Sequence, residues 1–495
     1  MGPRAEPAEQ DQMKTATLKS RLPLYRDSID WDAFSRRHPA PDVWFETIFK
    51  WPAERVREFQ DESFRQLMAS AWSNGFYQRL WGAAGIEPGD IRGLDDIVKL
   101  PTFTSDDIKA DQERNPPFGL IMGVTPGPDM ARMPLKMQTS GGTTGLPRPT
   151  LYSPIDWELN GLTIARELYV QGARPGDVMQ IPSTCSLANF AWSYYKAAHD
   201  YLGILPLTTG SGVVTPSRRQ LEIAEAYGAN IWAAFPEYLT QLARVYREEF
   251  GRDVRDLKTK FLSSYLGPDL DGSLRAHLEE LWGCPVYDNY GTHETGGAAF
   301  EGPEKDGLYL MEDNCFFEML DVDTGAPVGL GETGNMTITL LHRQTPPIIR
   351  FNLRDLGRIV SDKVSPLGSS FRRMDKFLGR SDAMVKLRGT NVYPMACLSA
   401  VRSDPRTTSE WLCVVDRFER GGALRDEMTV RVEIRADAGP CEGLSEILEK
   451  RLHADLGVKV AVELVAQGGL DQDANLGREG KPKRLLDRRE TIIRA

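Results

Sequence analysis

The run Gln138–Thr150, QTSGGTTGLPRPT, has the composition of an anion cradle. Gly141, Gly142 and Gly145 permit positive φ, so successive backbone N–H groups can converge on a phosphate, and Ser140, Thr143 and Thr144 add hydroxyl donors. The lysine that ends a Walker-type loop is absent; Leu146 follows the last glycine, so the main positive charge has to come from elsewhere, with Arg148 as one contributor. A second run, Tyr287–Gly297 (YDNYGTHETGG), offers the Tyr290 ring for stacking on a base and Glu294 as a hard oxygen ligand suited to Mg²⁺. It is not a metalloprotease site, because HExxH needs a second histidine where Gly297 stands. In Arg350–Arg358 (RFNLRDLGR), Asp355 can accept two hydrogen bonds from a ribose diol, although an Asp between arginines also reads as a surface ion pair. Two basic, glycine-containing runs follow, Arg373–Pro394 and Gly477–Arg484, and the second by itself reads as a solvated tail.

Such residues have to be held by elements. Short β-rich runs at Val178–Ser183, Leu202–Thr208, Ala229–Phe235, Lys260–Leu266 and Pro285–Tyr290 alternate with helical patterns near Asp156–Val170, Phe190–Tyr201, Ser217–Tyr227, Glu237–Phe250 and Asp271–Trp282. That alternation predicts an α/β fold of parallel βαβ units, with the glycine-rich runs on the connections where ligands sit. From Trp51 to about Trp81 the pattern is an amphipathic helix. After Val322, closely spaced glycines and the strand Met336–Leu341 predict an antiparallel β subdomain. Beyond Gly379, strands at Trp411–Asp416, Met428–Arg435 and Val458–Val465 with a helix at Leu444–Leu456 predict a small α+β domain.

The chain of 495 residues calls for two or more domains, and its formal net charge of −10 disfavours nucleic acid and anionic membranes as partners. Its six cysteines are too widely spaced for a zinc or redox motif and read as idle thiols of a reducing compartment. The N-terminal stretch lacks an apolar core, and no run is apolar enough to span a membrane. The expectation is a cytoplasmic protein with residues 1–30 as a disordered leader; a homodimer is left open.

In this order the five runs resemble those of the adenylate-forming (acyl-AMP) enzyme superfamily, in particular its phenylacetate–coenzyme A ligase-like branch, over nearly the whole chain from about Trp44 to Arg489. The resemblance implies a large N-terminal ATP- and acid-binding domain (31–378), a hinge (379–382) and a small mobile C-terminal domain (383–495). Ser140, Gly141, Gly142, Thr143, Thr144 and Gly145 would hold the β- and γ-phosphates. Tyr290 would stack on adenine, with Asp288, Asn289, Gly291 and Thr292 nearby; Glu294 would bind Mg²⁺ and Asp355 the ribose. Arg373 and Arg380 would lie beside the nucleotide, Asp382 at the hinge and Gly389 on the coenzyme A channel. Lys481 would reach the carboxylate and α-phosphate, with His293 and Glu294 also in the catalytic set. An acyl pocket is expected from Phe190, Trp192, Tyr194, Phe235, Tyr265 and Gly267, although each ring could equally be ordinary core. The implied activity is an ATP- and Mg²⁺-dependent ligation of an aromatic acid to coenzyme A. A ligase that loads a carrier protein or an amine is the alternative, and a non-catalytic ATP-binding regulator the more distant one.

Four departures stand out. His293 replaces the usual Thr or Ser before the glutamate; its role is open between a substrate or phosphate contact, packing, and duty shared with Thr292. Leu266-Gly-Pro-Asp-Leu270 lacks the branch's glutamate, and Asp269 is a candidate substitute. Ala383 stands where a second Asp is common, and Lys483 rivals Lys481, which Gly480 favours.

Overall fold

The structure is a computed structural model that describes residues 22–140, 147–269, 271–388, 390–420, 423–474 and 483–494. Its centre is a twelve-stranded mixed sheet. One half is parallel, in the order Val286–Thr292, Phe261–Ser264, Ile231–Ala233, Val178–Ile181, Leu205–Thr208. These strands are short and wholly or largely buried apart from the last, as expected of a parallel sheet covered on both faces. Pro154–Val170 and Phe190–Lys196 pack on the cluster of Met179, Ile181, Ile231 and Phe261. Ser217–Tyr227, Pro236–Phe250 and Ser273–Trp282 pack on that of Trp232, Leu262 and Val286. All five helices of the expected alternation are present.

The other half is antiparallel, and it continues the same sheet. The chain turns back from Val286–Thr292 into Gly296–Glu301, then pairs onward through Leu308–Leu310, Arg373–Met374, Phe351–Ser361, Thr333–Leu340 and Cys315–Leu320. The β subdomain read from the sequence is thus hydrogen-bonded to the parallel half rather than standing apart. Against it lie Ala53–Ala71 and Gly75–Ala83, two helices where the sequence predicts one. Asn74 makes the break, its side chain accepting from the Phe76 N–H at 3.0 Å to cap the second helix.

The C-terminal residues build a second, four-stranded sheet in the order Ala461–Ala466, Ala423–Ile434, Thr407–Arg420, Leu485–Arg494. Its core joins Trp411, Val415, Val430 and Val432 to Leu444, Leu448 and Leu452 of the helix Leu444–Leu456. The strand Leu485–Arg494 runs parallel to Thr407–Arg420. No strand is predicted there, because LLDRRETIIR doubles its apolar and charged residues instead of alternating them. Among the described residues no helix is long and apolar enough to cross a membrane.

Candidate active site

The hairpin Val286–Glu301 sits where the two halves of the large sheet meet. Its turn, Thr292–Thr295, is closed by the Thr292 N–H on Thr295 Oγ1 (3.0 Å) and by the Thr295 N–H on Thr292 Oγ1 (3.3 Å). Two glycines are required here. Gly296 has φ +68°, and a Cβ on Gly291 would lie 2.2 Å from the Gly296 carbonyl oxygen. Glu294, 7% exposed, is fixed within the turn: Oε1 is paired with Arg148 and Oε2 accepts from Thr292 Oγ1 at 3.2 Å.

Arg148 belongs to a second, smaller hairpin, in which Lys136–Thr139 pairs with Pro149–Tyr152 and the glycine-rich run forms the connection. Ser140 is held at its base, its N–H donating to the Arg148 carbonyl at 3.0 Å. The expected phosphate-holding residues Gly141, Gly142, Thr143, Thr144 and Gly145 lie outside the described residues, as do Gly389 and Lys481. The two hairpins touch through Arg148 and Glu294. A single buried carboxylate beside hydroxyl groups suits Mg²⁺, which takes one or two carboxylates and completes its shell with phosphate and water oxygens. Glu294 would hold the ion, which would screen phosphate charge.

Tyr290 points to the antiparallel half. Its hydroxyl donates to Asp355 Oδ2 at 2.6 Å, and its ring lies near parallel to Phe377 with centroids 6.2 Å apart. Burial and the Asp355 charge push the phenol well above its usual range, so it stays a donor. Arg380 donates to Asp355 Oδ1 at 2.9 Å and forms a two-pronged pair with Asp382 at 2.8 and 2.6 Å. A carboxylate with two charged or hydroxyl partners beside an aromatic wall can take a ribose diol and a purine. Phe377 was missed in the sequence, although it lies in the basic run that ends at Pro394.

Asp288 and Asn289 face inward. Asp288 accepts from the Leu266 N–H at 2.8 Å, and burial pushes its carboxyl up to about 7. Asn289 donates to Ser263 Oγ at 2.9 Å and to the Ser264 carbonyl at 3.1 Å. Both side chains brace the next strand. The buried Arg373, expected beside the nucleotide, is instead engaged with Asp306, the Lys363 carbonyl and Ser361, over the Tyr309 ring. Asp269 accepts from the N–H groups of Leu274 and Arg275 at 2.9 and 3.1 Å, which makes it a cap for the helix Ser273–Trp282. The His293 ring is buried with Nε2 unpartnered, and burial pulls its pKa down to about 4, so it is neutral at neutral pH.

At the carboxyl ends of the parallel strands four aromatic rings meet. Phe190 lies 4.7 Å from Tyr194, 4.9 Å from Phe235 and 5.8 Å from Tyr265, centroid to centroid. Gly267, with φ +68°, turns the chain away just beyond Tyr265. Trp192, expected among these rings, faces elsewhere. Residues two apart on a helix point to nearly opposite sides, and Trp192 lies over Lys136 with its ring N–H on the Ser186 carbonyl at 2.8 Å.

Comparison with known proteins bears on this geometry. Residues 389–489 match the AMP-binding enzyme C-terminal domain family. The phenylacetate–coenzyme A ligase of Aromatoleum evansii is 29% identical over 456 residues, covering 90% of this chain and 97% of that protein. The enzyme of the same name from Escherichia coli K12 is 25% identical, covering 89% and 96%. The chain is thus similar to phenylacetate–coenzyme A ligases along about nine-tenths of its length and carries a C-terminal match to the AMP-binding enzymes. Among solved members of the superfamily, 2-hydroxyisobutyryl-CoA ligase in the postadenylation state with 2-HIB-AMP is 25% identical, with a TM-score of 0.76 over 89% of this chain and 91% of that one. The same ligase with 2-HIB-AMP and CoA in the thioesterification state gives 0.64 at 26% identity, again over 89% and 91%. In this chain the residues expected to serve the nucleotide and the ring-bearing residues come together on one hairpin and its neighbouring strand ends.

Proposed function

We propose that the chain is an AMP-forming acid–thiol ligase that activates an aromatic monocarboxylate as acyl-AMP and transfers it to coenzyme A. The observation that carries this is the hairpin Val286–Glu301. Tyr290 on Asp355 faces one way, Glu294 on Arg148 lies at the tip, and Asn289 reaches toward the aromatic cluster, so ATP and acid would share one support.

The acid's carboxylate oxygen attacks the α-phosphorus of ATP, pyrophosphate leaves, and charge grows on the phosphoryl oxygens. Glu294 would hold Mg²⁺, which would supply part of the charge stabilisation when bound. Lys481, brought by the C-terminal residues, would supply the rest. Tyr290, Phe377 and Asp355 orient the adenosine, and the glycine-rich loop donates neutral N–H and hydroxyl groups to the departing pyrophosphate. Arg148 is already committed to Glu294 and serves to hold that carboxylate in place. The thiol then attacks the acyl carbon and AMP leaves. A rotation at Asp382 would exchange Lys481 for Gly389 near the acyl group. The better superposition on a postadenylation than on a thioesterification structure supports an arrangement closer to the state that holds acyl-AMP before thioester formation.

A small hydroxy acid is the second reading, favoured by the likeness to 2-hydroxyisobutyryl-CoA ligase and by the closeness of Phe190 and Phe235, which leaves little room between those two rings. Pyrophosphate release with a panel of aryl and small aliphatic acids separates the two, and a thioester found by mass after adding coenzyme A establishes the acceptor. No pyrophosphate with any acid of the panel would overturn both.

A further inference from the structure

The helix Pro154–Val170 sends one amide between two other parts of the chain. Asn160, 7% exposed, faces Asn189, the residue just before the helix Phe190–Lys196. Asn189 Nδ2 donates to Asn160 Oδ1 at 3.2 Å, and Asn160 Nδ2 reaches back to Asn189 Oδ1 at 3.4 Å and donates to Ser193 Oγ at 2.7 Å. Ser193 Oγ lies 2.7 Å from Asn189 Oδ1, which closes the ring of contacts. An asparagine at the start of a helix ordinarily turns its side-chain oxygen onto a backbone N–H of the first turn. Asn189 makes no such cap, because its amide is engaged with Asn160.

The third part is the hairpin. Gly296 follows the turn Thr292–Thr295 that holds Glu294, and a Cβ on it would stand 2.7 Å from Asn160 Oδ1 and 4.0 Å from Asn189 Nδ2. The end of the turn therefore rests directly on the amide pair. Residues 160, 189 and 296 come from three separate elements, so chain connectivity does not fix the spacing among them. Paired amides in a low-dielectric interior do, because their bonds are directional and a shift of either would leave polar atoms of the other unsatisfied. The groups they space apart belong to the two sides of the site. Phe190, next in sequence to Asn189, has its ring within reach of Tyr194, Phe235 and Tyr265, and Glu294 precedes Gly296 by two residues. An attacking carboxylate has to meet the α-phosphorus at close range, and a misplacement of about 1 Å caused by a residue far from the chemistry costs about 10²-fold in rate.

Resting on the ligase reading above, we propose that Asn160 is a positioning residue: through Asn189 and Gly296 it sets the separation between the Phe190 ring, which holds the acid, and the turn that holds Glu294. The ring fixes one end of the acid, and the turn, through Glu294, fixes where the phosphates of ATP lie. The amide pair therefore selects the length of the spacer between ring and carboxylate. Acids whose spacer is too short or too long pack against the rings but hold their carboxylate out of line with the α-phosphorus.

The test uses the full-length chain, ATP, Mg²⁺ and acids that differ only in the spacer: benzoate, phenylacetate and 3-phenylpropanoate. The wild-type chain is expected to favour one of them by about tenfold or more in kcat/KM for pyrophosphate release. Asn160→Ala should lower kcat with the favoured acid by about tenfold or more, leave the ATP KM within about twofold, and flatten the preference among the acids. Asn189→Ala should do the same, and the double variant should lose no more than the worse single one, since both remove the same contact. Asn189 is only partly buried, so its variant carries the test should Asn160→Ala fail to fold. Wild-type turnover that is equal on the three acids, or absent on them while an aliphatic acid is used, overturns the proposal and leaves the ligase reading intact. A loss equal on every acid in the variants also overturns it, because that is the signature of a residue supporting only the fold, and so do additive losses in the double variant. Pyrophosphate from no acid, aryl or aliphatic, overturns the ligase reading itself and the proposal with it.

Discussion

The side of the hairpin proposed to take the nucleotide and the side proposed to take the acid are prepared differently. On the first of these sides the described charged groups are already partnered: Tyr290 and Arg380 on Asp355, Arg148 on Glu294. ATP would enter by exchanging one set of charged hydrogen bonds for another, and pre-set partners of this kind keep donors aimed where charge develops. The acyl side is held by ring contacts. Rings around a small polar patch discriminate by shape and by a few hydrogen bonds, so this side can change its ligand while the chemistry stays the same.

The sharpest way to break that contrast is to remove the charge that comes from outside both sides. Lys481→Ala should lower acyl-adenylate formation by about 10²–10³-fold or more, while thioester formation from preformed acyl-AMP changes far less. Measuring each half-reaction separately checks it, and equal losses would remove the distinction between the steps. Next, Asp355→Ala strands the Tyr290 hydroxyl and removes one of Arg380's two carboxylate partners, and should raise the ATP KM by about 10–100-fold with acid preference unchanged, read from pyrophosphate release.

On the other side the sign reverses. Phe190→Ala should shift the kcat/KM ratio between bulky and small acids by about tenfold with little effect on the ATP KM, whereas Trp192→Ala, facing Lys136, should leave that ratio unchanged. The smallest effect is expected at His293. Its ring is neutral from about pH 5 upward, so His293→Thr should leave the shape of the pH–rate profile between 5 and 8 unchanged. The folded ring takes a proton only near pH 4 and the unfolded one near 6.5, so this group removes stability as pH falls from about 6.5 toward 4. Denaturant unfolding at pH 7 and pH 5 should show a smaller loss in His293→Thr than in the wild-type chain.

Much of this was legible in the sequence because it is local. The alternation of short apolar runs with 3.6-residue periodicity placed the parallel strands and their helices within a few residues; Ser217–Tyr227 and Leu444–Leu456 were read with their full bounds. The hairpin glycines were legible as turn residues for the same reason. What escaped depended on direction or on distance along the chain. Trp192 was grouped with Phe190 and Tyr194 by proximity in sequence, but 100° per residue turns it away. Arg373 lies in a run of the expected type, yet its side chain is engaged by Asp306, Lys363 and Ser361. Asp269 was read as a ligand candidate, and helix N–H groups take both its oxygens.

By itself the sequence determined which side-chain types are available and in what order: a loop of neutral donors, a tyrosine ring near a glutamate, an aspartate between arginines and a lysine near the end. Residue type and local spacing are enough for that. The tertiary structure alone decided the partners: Arg148 on Glu294, 146 residues apart, Tyr290 on Asp355, 65 apart, and Asn160 on Asn189, 29 apart. Pairings of that kind are set when distant elements pack and each buried polar group takes whatever partner the packing brings within reach.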